Sequence, residues 1–233
     1  LDGKARVVYS WSFNEKRLEE EFDLGELPPL GFYVLAALKI LYLVEKFNVQ
    51  LICMDKGGGG PAIADVLKAP TLYSIPRDYA HISVASVDDE MAMAGSKRIL
   101  NLISFTNEFI VTNNYSMKKD IQSDKFVFSN SNVEKSAMDI VKDKRDFLVD
   151  EFDYINSENE AMKREISIVK VLRTQHGNIR FDTGAGGRRP KKDRYTAAFL
   201  SYVAFQSMSH EDDDKEEIKI NYYDSVGDVV TQH

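Results

Sequence analysis

Apolar and polar positions fall into blocks along the chain, and each block carries its own period. Ala5 to Phe13 is dense in β-branched and aromatic side chains, the composition of a strand. An acidic stretch from Glu15 to Glu26 follows, and Pro28-Pro29 breaks the chain before Leu30 to Phe47, whose Leu, Ala and Lys content predicts a mostly buried helix. Val49 to Met54 is a short apolar run of the kind found in a central strand covered on both faces. Gly57 to Gly60 then lead into Pro61, a residue tolerated in a first helical turn, so that Ala62 to Ala69 reads as a helix.

Further along, Leu72 to Ile75 offers a short strand. Asp88 to Ile110 reads as a long helix, because Met91, Ile99, Leu102, Ile103 and Phe109 roughly keep helical spacing. Tyr115 to Ile121 suggests another helical turn or two, Lys125 to Phe128 an edge strand, and Val133 to Arg164 a charged helix. Glu165 to Arg173 and Asn178 to Asp182 flank His176-Gly177 as a β-hairpin, and Tyr195 to Met208 is an apolar helix. Strands alternating with helices predict an α/β fold with a mixed sheet flanked by helices, since the hairpin keeps it from being purely parallel. No internal repeat is present. One domain is expected over residues 1–209, with 210–233 a solvated acidic tail around EDDDKEE.

Composition narrows the function less than the fold. The 233 residues suffice for one domain with a sizeable core, and an apolar fraction of 43% excludes a disordered or fibrous chain. A net charge of −7 argues against a uniformly basic nucleic-acid binder, so any phosphate grip must be local. Cys53 is the single cysteine and lies in an apolar run, where a buried thiol is expected and an intrachain disulfide is excluded. With no run near the ~18 apolar residues of a membrane span and no signal-peptide pattern in LDGKARVV, a soluble protein in a reducing compartment is expected. The start at a leucine in a loop-like segment suggests a fragment of something longer.

Two segments carry candidate chemistry. In Met54-Asp55-Lys56 a carboxylate closes a central strand, where α/β sheets open their ligand crevice; a turn-forming aspartate bonding its own backbone is the plainer alternative. Gly57, Gly59 and Ala62 also fit a relaxed dinucleotide fingerprint, but four consecutive glycines meet many patterns and no acidic strand end follows about twenty residues on. A Walker phosphate loop is excluded. The second segment is Arg188-Arg189-Pro190-Lys191-Lys192-Asp193-Arg194, five cations in seven residues around one aspartate at the entry to a helix. Asp193 could be that helix's N-cap and the cations a solvated loop; alternatively the loop grips phosphates. Together the two aspartates and the basic loop suggest metal-assisted phosphodiester cleavage by hard ions such as Mg²⁺ or Mn²⁺. His81, His176, His210 and His233 have no metal-type spacing, and no nucleophile elbow supports Ser/His/Asp catalysis.

The order of three segments, LICMDKGGGGPAIADVL at 51–67, ILNLISFTNEF at 99–109 followed by KFVFS, and KKDRYTAAFLSYVAF at 191–205, resembles the nuclease domain of the large terminase subunit of tailed phages. The resemblance implies an RNase H-like fold and a two-metal endonuclease, using Mg²⁺ or Mn²⁺, that cuts concatemeric double-stranded viral DNA during packaging. By position Asp55 resembles the second metal-binding acid and Asp193 the third, both catalytic. Lys56, Arg188, Arg189, Lys191, Lys192 and Arg194 become candidate DNA-phosphate contacts, and Gly57, Gly58, Gly59 and Gly60 a tight turn beside the site. The family opens this domain with a strand bearing its first acid; no such strand is found here, and Asp2 stands in a loop-like segment as the one local candidate. The resemblance further implies a portal protein, a small terminase subunit and an ATPase domain outside this sequence as partners, no membrane, and the host cell cytoplasm as location. Two rivals stay open: a nucleotide-binding α/β enzyme that uses Gly57 to Gly60 at a helix N-terminus, and a catalytically silent domain that docks onto the packaging motor.

Overall fold

In the computed structural model, residues 4–13, 22, 31–128, 146–174, 177–183 and 192–211 are described. The chain is a mixed α/β structure with parallel sheets flanked by helices. Strand β1 (Ala5–Val7) leads toward helix α1 (Phe32–Lys46), strand β2 (Ile52–Asp55) and helix α2 (Gly60–Lys68). A 3₁₀ turn (Pro70–Tyr73) and a single helical turn (Arg77–Ala80) precede strands β3 (Val84–Ser86) and β4 (Lys97–Ile103). Helix α3 (Asn107–Gln122), strand β5 (Phe126–Phe128), helix α4 (Asp146–Ile168), the hairpin β6 (Lys170–Arg173) and β7 (Ile179–Asp182), and helix α5 (Asp193–Glu211) complete it.

Three parallel strands in the order β2-β4-β3 form the central sheet, with Ile52 paired to Leu100 and Asp55 to Ile103. β1 pairs in parallel with β5, and β6 pairs antiparallel with β7. Two cores result. One gathers Leu35, Leu38, Leu41 and Val44 of α1 with Val66 and Leu67 of α2, Val84 and Leu100. The other joins Met117, Phe126 and Phe181 to Tyr195, Phe199, Tyr202 and Val203 of α5, which also packs on β2. Lys39 is fully buried on α1, its ammonium 4.6 Å from the Tyr42 ring centroid and 5.8 Å from those of Tyr9 and Trp11.

The helix expected over Asp88 to Ile110 is overturned: Lys97–Ile103 is a strand. Ile99, Leu100, Leu102 and Ile103 are apolar almost without interruption because β4 lies between β2 and β3, with neighbours on both edges and both faces largely covered. The strand expected over Leu72 to Ile75 is replaced by the 3₁₀ turn, opened by Pro70, closed by the Leu72 N–H to Ala69 carbonyl bond at 3.0 Å, and ended by Ser74 at a left-handed φ of 57°. Ala5 to Phe13 forms a ladder only over its first three residues. The hairpin is present but shorter than expected, because Glu165 to Ile168 continue helix α4. Its turn has Gly177 at a φ of +82°, which a side chain would strain, while His176 lies outside the described residues. The segment 133–145 also lies outside them, and α5 runs on to Glu211, beyond the expected boundary at 209. Among the described residues no helix is long and apolar enough to cross a membrane.

Candidate functional site

Asp55 ends β2, and the backbone turns at once. The Gly57 N–H donates to Asp55 Oδ1 at 2.7 Å, so the plain turn-forming role of this aspartate is realised. Its second oxygen, Oδ2, has no hydrogen-bond partner among the described residues, and Lys56 beside it is exposed. The glycines divide by function. A Cβ on Gly60 would stand 2.2 Å from the Asp55 carbonyl oxygen, so the start of α2 can approach the strand end only without a side chain. On Gly59 a Cβ would stand 2.6 Å from Tyr33 Cε1, whereas at Gly57 and Gly58 the nearest atoms are the Asp55 carboxylate oxygens at 3.3 and 3.5 Å.

Asp193 opens α5 without capping it. The free N–H groups of that helix are met from another element: Glu165 Oε2, on α4, accepts from Arg194 N at 2.9 Å and Tyr195 N at 3.1 Å. The capping role weighed for Asp193 is therefore filled by Glu165, and the exposed Asp193 carboxylate has no partner among the described residues. Arg194 turns to the same acids. Its Nη1 donates to Glu165 Oε1 at 3.0 Å, while Nε and Nη2 bind both oxygens of Glu158 at 2.9 and 3.0 Å. The hydrogen bonds that Arg194 donates to Glu158 and Glu165 raise its pKa further above its ordinary value, so this cation is permanent. The Arg194 guanidinium, expected from sequence to contact phosphate, here donates to two carboxylates inside the fold.

Asp55 closes β2, and Asp193 opens α5, a helix that packs on β2. Asp55 is registered with Ile103, and the Lys56 N–H donates to the Ile103 carbonyl at 2.9 Å, which sets the carboxyl ends of β2 and β4 side by side. Two residues on, the Phe105 ring meets Phe199 of α5 at 5.8 Å, and Phe199 stacks on Tyr195 at 6.5 Å. Asp193 is thus within about 9 Å of helical rise from a residue packed at the sheet end that carries Asp55. Lys192, just before it, donates from Nζ to the Phe181 carbonyl at 3.3 Å and ties the start of α5 to the end of β7.

That contact brings in a carboxylate the sequence reading passed over. Asp182 closes β7 and is buried, held by the Arg180 guanidinium and by the Thr183 N–H at 2.8 Å. Its signal was the one that singled out Asp55, an acid at the end of a strand. Among the described residues no group of three or more His, Cys, Asp or Glu side chains could hold a metal ion. Asp2, Arg188, Arg189 and Lys191 lie outside the described residues. Compared with models of known families, with curated proteins and with solved structures, the chain matches none.

Proposed function

We propose that this chain is the metal-dependent endonuclease part of a viral DNA-packaging terminase, an RNase H-like domain that cuts concatemeric double-stranded DNA in the host cytoplasm. One observation supports the reading: Asp55 Oδ2, at the end of β2, and the Asp193 carboxylate, at the start of a helix that packs on β2, are both without a hydrogen-bond partner among the described residues. A capping aspartate would be used up by its helix; Glu165 removes that demand from Asp193. The donor set is all oxygen, which suits hard divalent ions such as Mg²⁺ or Mn²⁺.

When bound, such ions supply Lewis acidity and an activated water for attack on phosphorus. Asp55 and Asp193 would hold them, with one further acid required for a two-ion set; Asp2 is the candidate from this sequence. Lys56 stands exposed next to Asp55 and draws a DNA phosphate toward the strand end. Lys192 does the same at the helix start, joined by Arg188, Arg189 and Lys191 of the basic loop. The ATPase domain, portal protein and small subunit of a packaging motor are the partners this reading brings.

The test is cleavage of supercoiled plasmid with Mn²⁺, with Mg²⁺ and with EDTA, by this chain and by a version extended upstream to add the strand the family resemblance implies. Metal-dependent nicking abolished by Asp55→Asn and by Asp193→Asn is expected. Absence of cutting by both versions, at normal folding, would sink the nuclease reading.

A further inference from the structure

Nothing in the backbone at residue 59 demands a glycine. Gly59 sits at a φ of −75° and a ψ of −4°, right-handed helical angles open to every L residue. What excludes a side chain there is Tyr33 of helix α1: an added Cβ would stand 2.6 Å from Tyr33 Cε1 and 3.4 Å from its Cδ1. The tyrosine ring therefore lies on the glycine turn that follows Asp55, with Gly59 as its seat. From the side of α1, the Phe32 ring meets it edge to face at 5.4 Å and is itself packed on Phe13 at 4.4 Å.

Packing does not explain a tyrosine at this position. Tyr33 is 45% exposed, and its hydroxyl has no hydrogen-bond partner among the described residues. The turn beneath the ring leads straight to the carboxylate, since a Cβ on Gly58 would stand 3.5 Å from Asp55 Oδ2. With successive Cα atoms ~3.8 Å apart, the Tyr33 ring edge is no more than about 13 Å from that oxygen. A DNA strand rises ~3.4 Å per nucleotide, so about four nucleotides cover this span. Lys56 is exposed on the same turn. Tyrosine hydroxyls are among the groups that donate to DNA phosphates, fixing register without reading sequence.

We propose that Tyr33 is a DNA-contact residue: its hydroxyl donates to a backbone phosphate of duplex DNA lying across the glycine turn, and Gly59 is a glycine in order to seat its ring. The proposal rests on the nuclease reading for its choice of ligand. It gives the glycines separate tasks, Gly60 letting α2 approach the strand end and Gly59 holding the ring beside Asp55. A neutral hydroxyl adds grip and register without counterion release, which sets Tyr33 apart from Lys56.

The test is fluorescence-anisotropy titration of a short labelled DNA duplex with the full chain in EDTA, repeated at several salt concentrations. Tyr33→Phe keeps the ring and removes only the hydroxyl; it should weaken binding at least about five-fold with the salt dependence unchanged. Gly59→Ala should weaken binding by a similar factor, because the ring swings off the turn, while melting stays within about 3 °C of the parent. Combining the two substitutions should add nothing further. Absence of duplex binding by the parent, parent-like binding or an altered salt dependence in Tyr33→Phe, or parent-like binding by Gly59→Ala would each overturn the proposal. Because no metal is present, the outcome separates from that of the plasmid assay: cutting with parent-like binding by Tyr33→Phe removes this contact alone, and the expected binding losses without cutting remove the nuclease reading alone.

Discussion

Glu165 holds Arg194 twice, once through the backbone N–H at 2.9 Å and once through the guanidinium at 3.0 Å, so one carboxylate both caps helix α5 and neutralises its second residue. Both side chains are largely covered, 11% exposed for Glu165 and 29% for Arg194. Removing the acid leaves two helix N–H groups without their acceptor and takes from the partly buried Arg194 one of its two carboxylate partners, Glu158 remaining. Glu165→Ala should therefore cost about 2–4 kcal/mol in urea unfolding, more than the ~1 kcal/mol of an ordinary cap. Glu165→Gln, which keeps an acceptor for the N–H groups, should cost less. A loss below about 0.5 kcal/mol for the alanine variant would show that α5 does not depend on α4 for its start.

The four glycines should not respond alike. Gly60→Ala places a methyl group against the Asp55 carbonyl, where an ideal Cβ would be 2.2 Å away, and the backbone must shift. A loss of at least about 2 kcal/mol is expected. Gly58→Ala meets its nearest atom at 3.5 Å and should stay within about 1 kcal/mol of the parent. Equal stabilities in chemical denaturation would refute the close approach of helix α2 to β2.

Asp55→Asn separates the two roles of that residue. The amide oxygen can still accept the Gly57 N–H, now at 2.7 Å from Oδ1, so melting temperature should hardly change. The anionic oxygen is lost, and Mn²⁺-dependent plasmid nicking should fall at least about 100-fold. A variant that melts like the parent and still cuts would assign Asp55 to the turn alone.

Burial pushes the Cys53 thiol up to about 11 from an ordinary 9.0. The folded chain favours the neutral thiol, so its contribution to stability is complete below pH 9 and is lost as pH rises from about 9 toward about 11. Comparison with Cys53→Ala isolates this dependence: the parent should lose more stability than the variant over that interval. The native thiol should also react slowly with a disulfide reagent at pH 8, becoming reactive on unfolding.

Local features were legible where the chain punctuates itself. The turn from β2 into α2 is written in Asp55, four glycines and Pro61, and the hairpin in His176-Gly177, because such turns depend on residues adjacent in sequence. Strand β4 was not legible. Its apolar positions reflect neighbours on both edges and cover on both faces, and over so short a run this resembles one face of a helix. The site divides along the same line. Asp55 and Asp193 could be singled out from their immediate context, but what leaves Asp193 unused by its helix is Glu165, twenty-eight residues earlier on another element, and the inward turn of Arg194 follows from the same packing. Nothing local to KKDRY records either.

The burial of Lys39 among rings gives the chain an optical property. Trp11 is its single tryptophan, and its indole N–H is buried without a hydrogen-bond partner among the described residues, while Lys39 lies 5.8 Å from the ring. An indole in that setting emits at a wavelength fixed by the seating of residues 9–13 on helix α1. Its fluorescence therefore follows detachment of that segment, and global melting followed through the far-ultraviolet signal of the helices provides an independent second record.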